Sequence, residues 1–242
     1  MKHVFVFICV AFYSLTVTAN AGDFKKGEDA FKRGDKAAAY QEWKGAAEQG
    51  HSKAQYYLGW MHATGNGATK DLGEAVRWYQ LSAKNGEPAA LSDLGAMYEQ
   101  GIGVEKDLVR ATQLFKQSAE KGFAVGQFNL GRAYVRGTGV DADPSLAFKW
   151  YKLSAVQGHV VGQYNTGNFY LRGTGVEKNI ESALKYFEAA AINGLPQAQY
   201  NLGYMYKYGQ GVSQNYESAV KWYRLAAEQG NADAQISLGW MY

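Results

Sequence analysis

A few residues in this chain have the type and spacing that could do chemistry. Ser-x-x-Lys occurs at Ser118–Lys121, Ser182–Lys185 and Ser218–Lys221, the pairing that serves acyl transfer when a Lys-Thr-Gly lies elsewhere in the chain. No Lys-Thr-Gly follows, and the second and third pairs lie one 36-residue period apart, so repetition accounts for them. The histidines beyond the first residues are His51, His62 and His159, widely spaced and without a paired His or carboxylate motif, which argues against a metal site. Five Gly-x-Gly pairs lack both a third glycine in register and a Gly-Lys-Ser/Thr, so they do not read as phosphate cradles. The expectation is no catalytic residue, no cofactor and no metal.

The elements that would position any site come next. Met1 to His3 form a short positive start, Val4 to Val17 an apolar stretch, and Ala19-Asn20-Ala21 a small-residue cleavage signal. Residues 1–21 therefore read as a secretory signal peptide cut after Ala21, and the product as periplasmic or secreted. The only cysteine, Cys9, lies inside this segment, so the mature chain is expected to hold no disulfide and no thiolate. No later apolar run reaches membrane length, which predicts no membrane insertion after cleavage. With 25 Lys+Arg against 22 Asp+Glu, the chain lacks the basic excess of a nucleic-acid binder. Hydrophobic residues make up 47% and aromatic residues 14%, enough to bury a large core, yet 29 residues are glycine and only 3 proline. So many glycines in a foldable chain require a structural explanation.

An internal period supplies it. Ala54-Gln55-Tyr56-Tyr57-Leu58-Gly59 recurs at Ala90, Gly126, Gly162, Ala198 and Ala234, always 36 residues on. Five units, 54–89, 90–125, 126–161, 162–197 and 198–233, follow without a gap. Residues 22–53 read as a shortened, capping unit. Residues 234–242 read as the first helix of an incomplete sixth, and its apolar ending, Trp240-Met241-Tyr242, is expected to mean truncation, or a docked partner or second chain.

Each unit reads as two helices. The first carries a small residue, Leu-Gly and an apolar stripe at helical spacing, and ends at Gly-x-Gly, from Gly65/Gly67 to Gly209/Gly211. Asp71, Asp107, Asp143, Asn179 and Asn215 then stand where an N-cap is needed. The second helix presents Ala75, Trp78-Tyr79 and Ala83 or their counterparts, and closes at a glycine of the Gly50-to-Gly230 phase. The small residues leave room for rings of an adjacent helix, with Trp78, Trp150 and Trp222 expected in the core. One pair cannot bury those rings alone, so pairs must stack.

Ala-Gln-Tyr-x-Leu-Gly, Gly-x-Gly-Val, Trp-Tyr and Ala-Ala-Glu-Gln-Gly resemble the Sel-1-like repeat (SLR), a relative of the tetratricopeptide repeat, over nearly the whole mature chain. Departures are few: Ala68 replaces the usual Val, Thr166 the usual Leu, and Gly126 and Gly162 the usual Ala. The resemblance implies an all-α, right-handed α/α superhelical solenoid whose first helices line a concave surface. It also implies an adaptor that binds a partner protein or peptide.

Carried over from tetratricopeptide geometry, the concave positions are Tyr56, Trp60 and Thr64, then Ser92, Ala96 and Gln100, then Phe128, Arg132 and Arg136. They continue as Tyr164, Asn168 and Arg172, then Tyr200, Tyr204 and Tyr208, then Ile236 and Trp240, with Lys207 at the edge. No acid stands among them. Tyr56, Phe128, Tyr164 and Tyr200 sit where the family keeps an aromatic and read as packing. Trp60, Arg132, Arg136, Arg172, Tyr204 and Tyr208 depart from the repeat pattern and are the candidate partner-binding residues. Aromatic rows also stack on sugars, which makes a peptidoglycan or carbohydrate binder the second reading. A cysteine-rich branch of the family has been linked to β-lactamase or penicillin-binding activity. The disulfides of that branch are absent here, so an enzyme of that kind is the third and least supported reading.

Overall fold

The computed structural model describes residues 22–241; the expected signal peptide at 1–21, with Cys9, and the terminal Tyr242 lie outside the described residues. Thirteen helices and no strand form among the described residues. A capping pair, α1 (Phe24–Lys32) and α2 (Lys36–Glu48), is followed by five pairs of equal length. These are α3 (Ser52–Thr64) with α4 (Leu72–Lys84), α5 (Pro88–Gln100) with α6 (Leu108–Glu120), and α7 (Ala124–Arg136) with α8 (Pro144–Val156). Then come α9 (Val160–Arg172) with α10 (Ile180–Ile192), α11 (Pro196–Tyr208) with α12 (Tyr216–Glu228), and a final single helix, α13 (Ala232–Gly239). Each helix packs on its predecessor and its successor, which makes the molecule an α/α solenoid. The first helices begin two residues before the points from which the sequence units are counted, and the 36-residue period is unchanged.

Local chemistry explains the boundaries. The Asp71 carboxylate accepts from the N–H groups of Gly73 and Glu74 at 2.9 and 3.0 Å, and the other four expected caps act likewise on α6, α8, α10 and α12. Gly65 closes α3 at φ 77°, a left-handed conformation that a side chain would strain. At the other end of each pair, Gly50 N–H donates to Ala47 O and His51 N–H to Ala46 O, a Schellman closure. The same two bonds recur at Gly86/Glu87, Gly122/Phe123, Gly158/His159, Gly194/Leu195 and Gly230/Asn231. The residue that completes each closure is already the N-cap position of the next helix, so successive repeats are joined without slack.

The core is built from glycine against ring, and of the tryptophan and tyrosine rings expected there the tyrosines hold the seam. Tyr79, Phe115, Tyr151, Phe187 and Tyr223 are buried against Gly59, Gly95, Gly131, Gly167 and Gly203 of the preceding helix. Trp78 is buried as expected, whereas Trp150 and Trp222 are only half-buried. One helical step of about 100° moves a side chain from the seam to its flank. In the capping pair the tryptophan takes the inner role: Trp43 is buried and its ring meets Gly27.

Repeats are also stitched by polar groups. Gln55 Nε2 donates to Ala47 O of the preceding pair at 2.9 Å, and Gln127, Gln163, Gln199 and Gln235 repeat the bond to Ala119, Ala155, Ala191 and Ala227. Each of these carbonyls already accepts the closing glycine N–H, so the amide adds a second bond that ties the helix end to the next pair. The glycines at 126 and 162 have a cause as well. A Cβ at Gly126 would collide with the Ser118 hydroxyl, and one at Gly162 would stand 3.0 Å from Ser154 Oγ. Further along, Ala198 and Ala234 hold the position, with Ala190 and Ala226 in place of the serines, all four fully buried, whereas Ala90 is accommodated after Ser82. Thr166, standing where leucine is usual, is buried with its hydroxyl donated to Gly162 O at 2.7 Å.

Candidate functional site

First helices touch first helices along one line of the solenoid. Phe31 of α1 meets Trp60 of α3 edge-on at 5.7 Å, and the Tyr56 hydroxyl donates to Asp93 Oδ2 of α5 at 3.2 Å. Asn129 Nδ2 of α7 donates to the buried Ser92 hydroxyl at 3.2 Å, and Arg132 of α7 pairs with Glu99 of α5. This line carries the residues singled out by the sequence, and it sorts them.

Tyr56, Phe128, Tyr164 and Tyr200 pack as expected. Each ring lies 5.7–5.9 Å from the buried ring of its own second helix: Tyr79, Tyr151, Phe187 and Tyr223 respectively. Trp60 is half-buried in the joint between the capping pair and the first full repeat, packed against both adjoining clusters. Arg132 is drawn inward. Its side chain is 27% exposed, that of Glu99 is 17% exposed, and the arginine Nε is buried with no hydrogen-bond partner. A pair so desolvated holds α5 and α7 in register and is poorly placed to receive a ligand. None of the counted positions is acidic, yet Glu99 and Asp93 stand one residue away from them and reach into the line. Burial pushes the Asp93 carboxyl above the ordinary carboxylate range, and the bond from Tyr56 partly offsets that.

Arg136, Arg172, Tyr204 and Tyr208 stay open. Arg136 and Arg172 are exposed at the same position of successive repeats, and no carboxylate lies within 4.0 Å of either among the described residues. One repeat further that position is Tyr208, 53% exposed, its ring centroid 4.5 Å from that of Tyr204 and its face 5.4 Å from Lys207 Nζ. The open part of the line thus runs from two guanidiniums to two phenols. It suits a chain bearing carboxylates at one end and flat or apolar groups at the other.

The acyl-transfer candidates have structural posts. Ser118 is fully buried and its hydroxyl donates to Pro88 O at 2.7 Å, while Ser82 and Ser154 repeat that bond to Ser52 and Ala124. Ser182 and Ser218 lie in first helical turns, their backbone N–H groups capped by Asn179 and Asn215. His51 and His159 are N-caps whose Nδ1 accepts from Ala54 and Gly162 N–H; sequence reasoning missed this role because histidine is an uncommon cap. His62 lies between the Tyr40 hydroxyl and Thr69 O. No group of three His, Cys, Asp or Glu side chains is arranged to hold a metal ion among the described residues. No helix among them is long and apolar enough to cross a membrane.

Fold and surface together define a helix-turn-helix repeat protein of the α-solenoid class. The Sel1 repeat model matches residues 52–87, 88–123, 124–159, 160–195 and 196–231, and the chain belongs to the Sel1 repeat family, whose members commonly act as protein–protein interaction scaffolds and are typically non-enzymatic. Among solved structures, the chain is similar to c5321, a protective antigen present in uropathogenic Escherichia coli strains displaying an SLR fold. The two share 35% identity at a TM-score of 0.84, over 92% of this chain and 50% of the antigen. The chain thus spans half the length of that relative. It is also similar to a Sel1 repeat protein from Oxalobacter formigenes, with 29% identity and a TM-score of 0.82 over 90% of this chain and 87% of that one. The immunity protein Pa5087 from Pseudomonas aeruginosa shares the fold, at 22% identity and a TM-score of 0.52, with 82% and 76% of the chains covered. No curated protein matches the chain.

Proposed function

We propose that this chain is an exported, non-catalytic scaffold that holds a partner protein or peptide along the line of its first helices. The observation that carries this reading is the unpaired Arg136–Arg172 couple running into the exposed Tyr204–Tyr208 pair. Arg132, by contrast, is tied to Glu99 of the neighbouring first helix. Two guanidiniums kept clear of acids are suited to bidentate bonds with carboxylates of a ligand, and tyrosine adds contact area at small entropic cost. Trp60 and Arg132 support this surface by fixing neighbouring first helices, and make no contact with the ligand. Export, with cleavage after Ala21 and a periplasmic or extracellular destination, belongs to the same reading.

The test compares three purified forms: the parent, Arg136→Ala/Arg172→Ala, and Tyr204→Ala/Tyr208→Ala. All three should melt alike, and both doubles should lose a partner that the parent captures from cell-envelope extract. A partner retained equally by all three would overturn the proposal. Since exposed tyrosines also stack on sugars, the same three forms are to be titrated with soluble peptidoglycan fragments. Binding lost only in the tyrosine variant would favour the carbohydrate reading instead. Cell fractionation and intact mass test export, with Gly22 expected as the first residue of the mature chain.

A further inference from the structure

The second helices break their own pattern at one place. Their last helical residue is charged in three repeats, at Lys84, Glu120 and Glu228, but it is Val156 in α8 and Ile192 in α10. Val156 is 72% exposed and Ile192 75%. Leu153, one turn back on α8, is 41% exposed, and with Phe148, Lys149, Lys152, Val156 and Gln157 it lines a shallow hollow on that helix. Scattered exposed apolar residues need no explanation, but two replacements of charge by aliphatic side chains at one position of successive repeats make a patch.

The border of the patch has a sign. Lys149 Nζ lies 5.4 Å above the Trp150 ring and Lys152 Nζ 5.8 Å from the centre of Phe148. One repeat on, Lys185 takes the Lys149 position but Glu188 takes the Lys152 position, so the basic border belongs to α8. Neither Lys149 nor Lys152 is ion-paired among the described residues. We infer that the outer face of α8 is a docking site for an acidic amphipathic helix of a partner protein, whose apolar stripe lies along Leu153 and Val156 with Ile192 at its edge, and whose flanking carboxylates meet Lys149 and Lys152. Burying an apolar stripe supplies the affinity, and the lysines set which helix is accepted. A second copy related by a two-fold axis would bring the same lysines face to face. An anionic bilayer would meet the carboxylates of Glu181 and Glu188 on α10 as well as the lysines. This face lies on second helices, so it stands or falls independently of the first-helix line.

The experiment titrates the full mature chain against a synthetic amphipathic helix with leucine on one face and glutamate on its flanks. A counterpart carries lysine in place of glutamate, and phosphatidylglycerol vesicles form a third arm. The Leu/Glu helix should bind, weakening with added salt. Val156→Glu/Ile192→Glu, which installs the residue already present at Glu120 and Glu228, should bind it at least tenfold more weakly with an unchanged melting temperature. Lys149→Glu/Lys152→Glu should do the same, and serves alone if the first variant does not fold. Undiminished binding by both variants would overturn the inference. So would equal binding of the Leu/Lys helix, vesicle binding that needs Val156 and Ile192, or self-association of the parent that the variants lose.

Discussion

The Tyr79 ring fills the space that a side chain at Gly59 would need, for a Cβ there would stand 2.6 Å from Tyr79 Cδ1. The relationship recurs at Gly131, where a Cβ would lie 2.8 Å from Tyr151 Cδ1 and 3.2 Å from Ala147 O. Gly131→Ala should therefore overpack the seam at about 1–3 kcal/mol, against a gain in helix propensity of roughly 1 kcal/mol. The urea midpoint should fall, and adding Tyr151→Leu should recover part of the loss. A midpoint at or above the parent's would show that the ring moves aside freely.

Adjacent aromatics on α8 should differ in cost. Tyr151 is 4% exposed and Trp150 only half-buried. Tyr151→Ala should cost about 3–5 kcal/mol, as other buried rings do, and Trp150→Ala clearly less. The reverse order in denaturant unfolding would mean that the tryptophan, not the tyrosine, forms the seam.

Asp93 bears a charge where the same position of later repeats holds Asn129, Asn165 and Asn201. Burial raises its carboxyl in the native state, so its favourable contribution exists at acid pH and is lost as the pH rises through its native value. Asp93→Asn keeps an acceptor for the Tyr56 hydroxyl and removes the buried charge. Its melting temperature should exceed the parent's at pH 7, with the gap closing as the pH falls toward the ordinary aspartate value of 3.8. A variant less stable than the parent at pH 7 would contradict this.

The His159 cap reverses the sign. Burial lowers the His159 imidazole below its ordinary 6.5, and its Nδ1 must stay unprotonated to accept the Gly162 N–H at 3.0 Å. Its contribution is present above pH 6.5 and is lost as the pH falls through the lowered native value. Asn231 performs the same capping on α13 through Oδ1, at 2.8 Å from Ala234 N. His159→Asn should match the parent near pH 8 and be more stable below pH 6, by up to about 1 kcal/mol, a usual worth for a cap. Melting curves across that range decide it, and identical pH profiles would place the acid sensitivity elsewhere.

The period, the caps and the glycine closures were legible because each rests on local chemistry repeated at a fixed spacing. Asp71 and Gly65 could be read from their neighbours in sequence alone. What lay between repeats was harder to see. Glu99 stands one residue off the counted line, and only a long side chain crossing to the next first helix brings it to Arg132. Tryptophan and tyrosine adjoin in the sequence, and which of Trp150 and Tyr151, or of Trp222 and Tyr223, turns fully inward depends on the partner helix. At Gly126 and Gly162 a Cβ would press on the Ser118 or Ser154 hydroxyl of the helix before, a contact between repeats that single positions do not announce. The exposed apolar couple Val156–Ile192 was visible as letters but had no meaning until the outer face of the second helices was known.

The joint in which His51 both completes one helix and begins the next allows no spare residue. One amino acid inserted there would part the closing bonds of α2, at Ala46 and Ala47, from the His51 cap on Ala54, and the two helices would no longer share a residue. The joint survives a change of length by a whole 36-residue unit, which brings its own closing glycine and its own cap position.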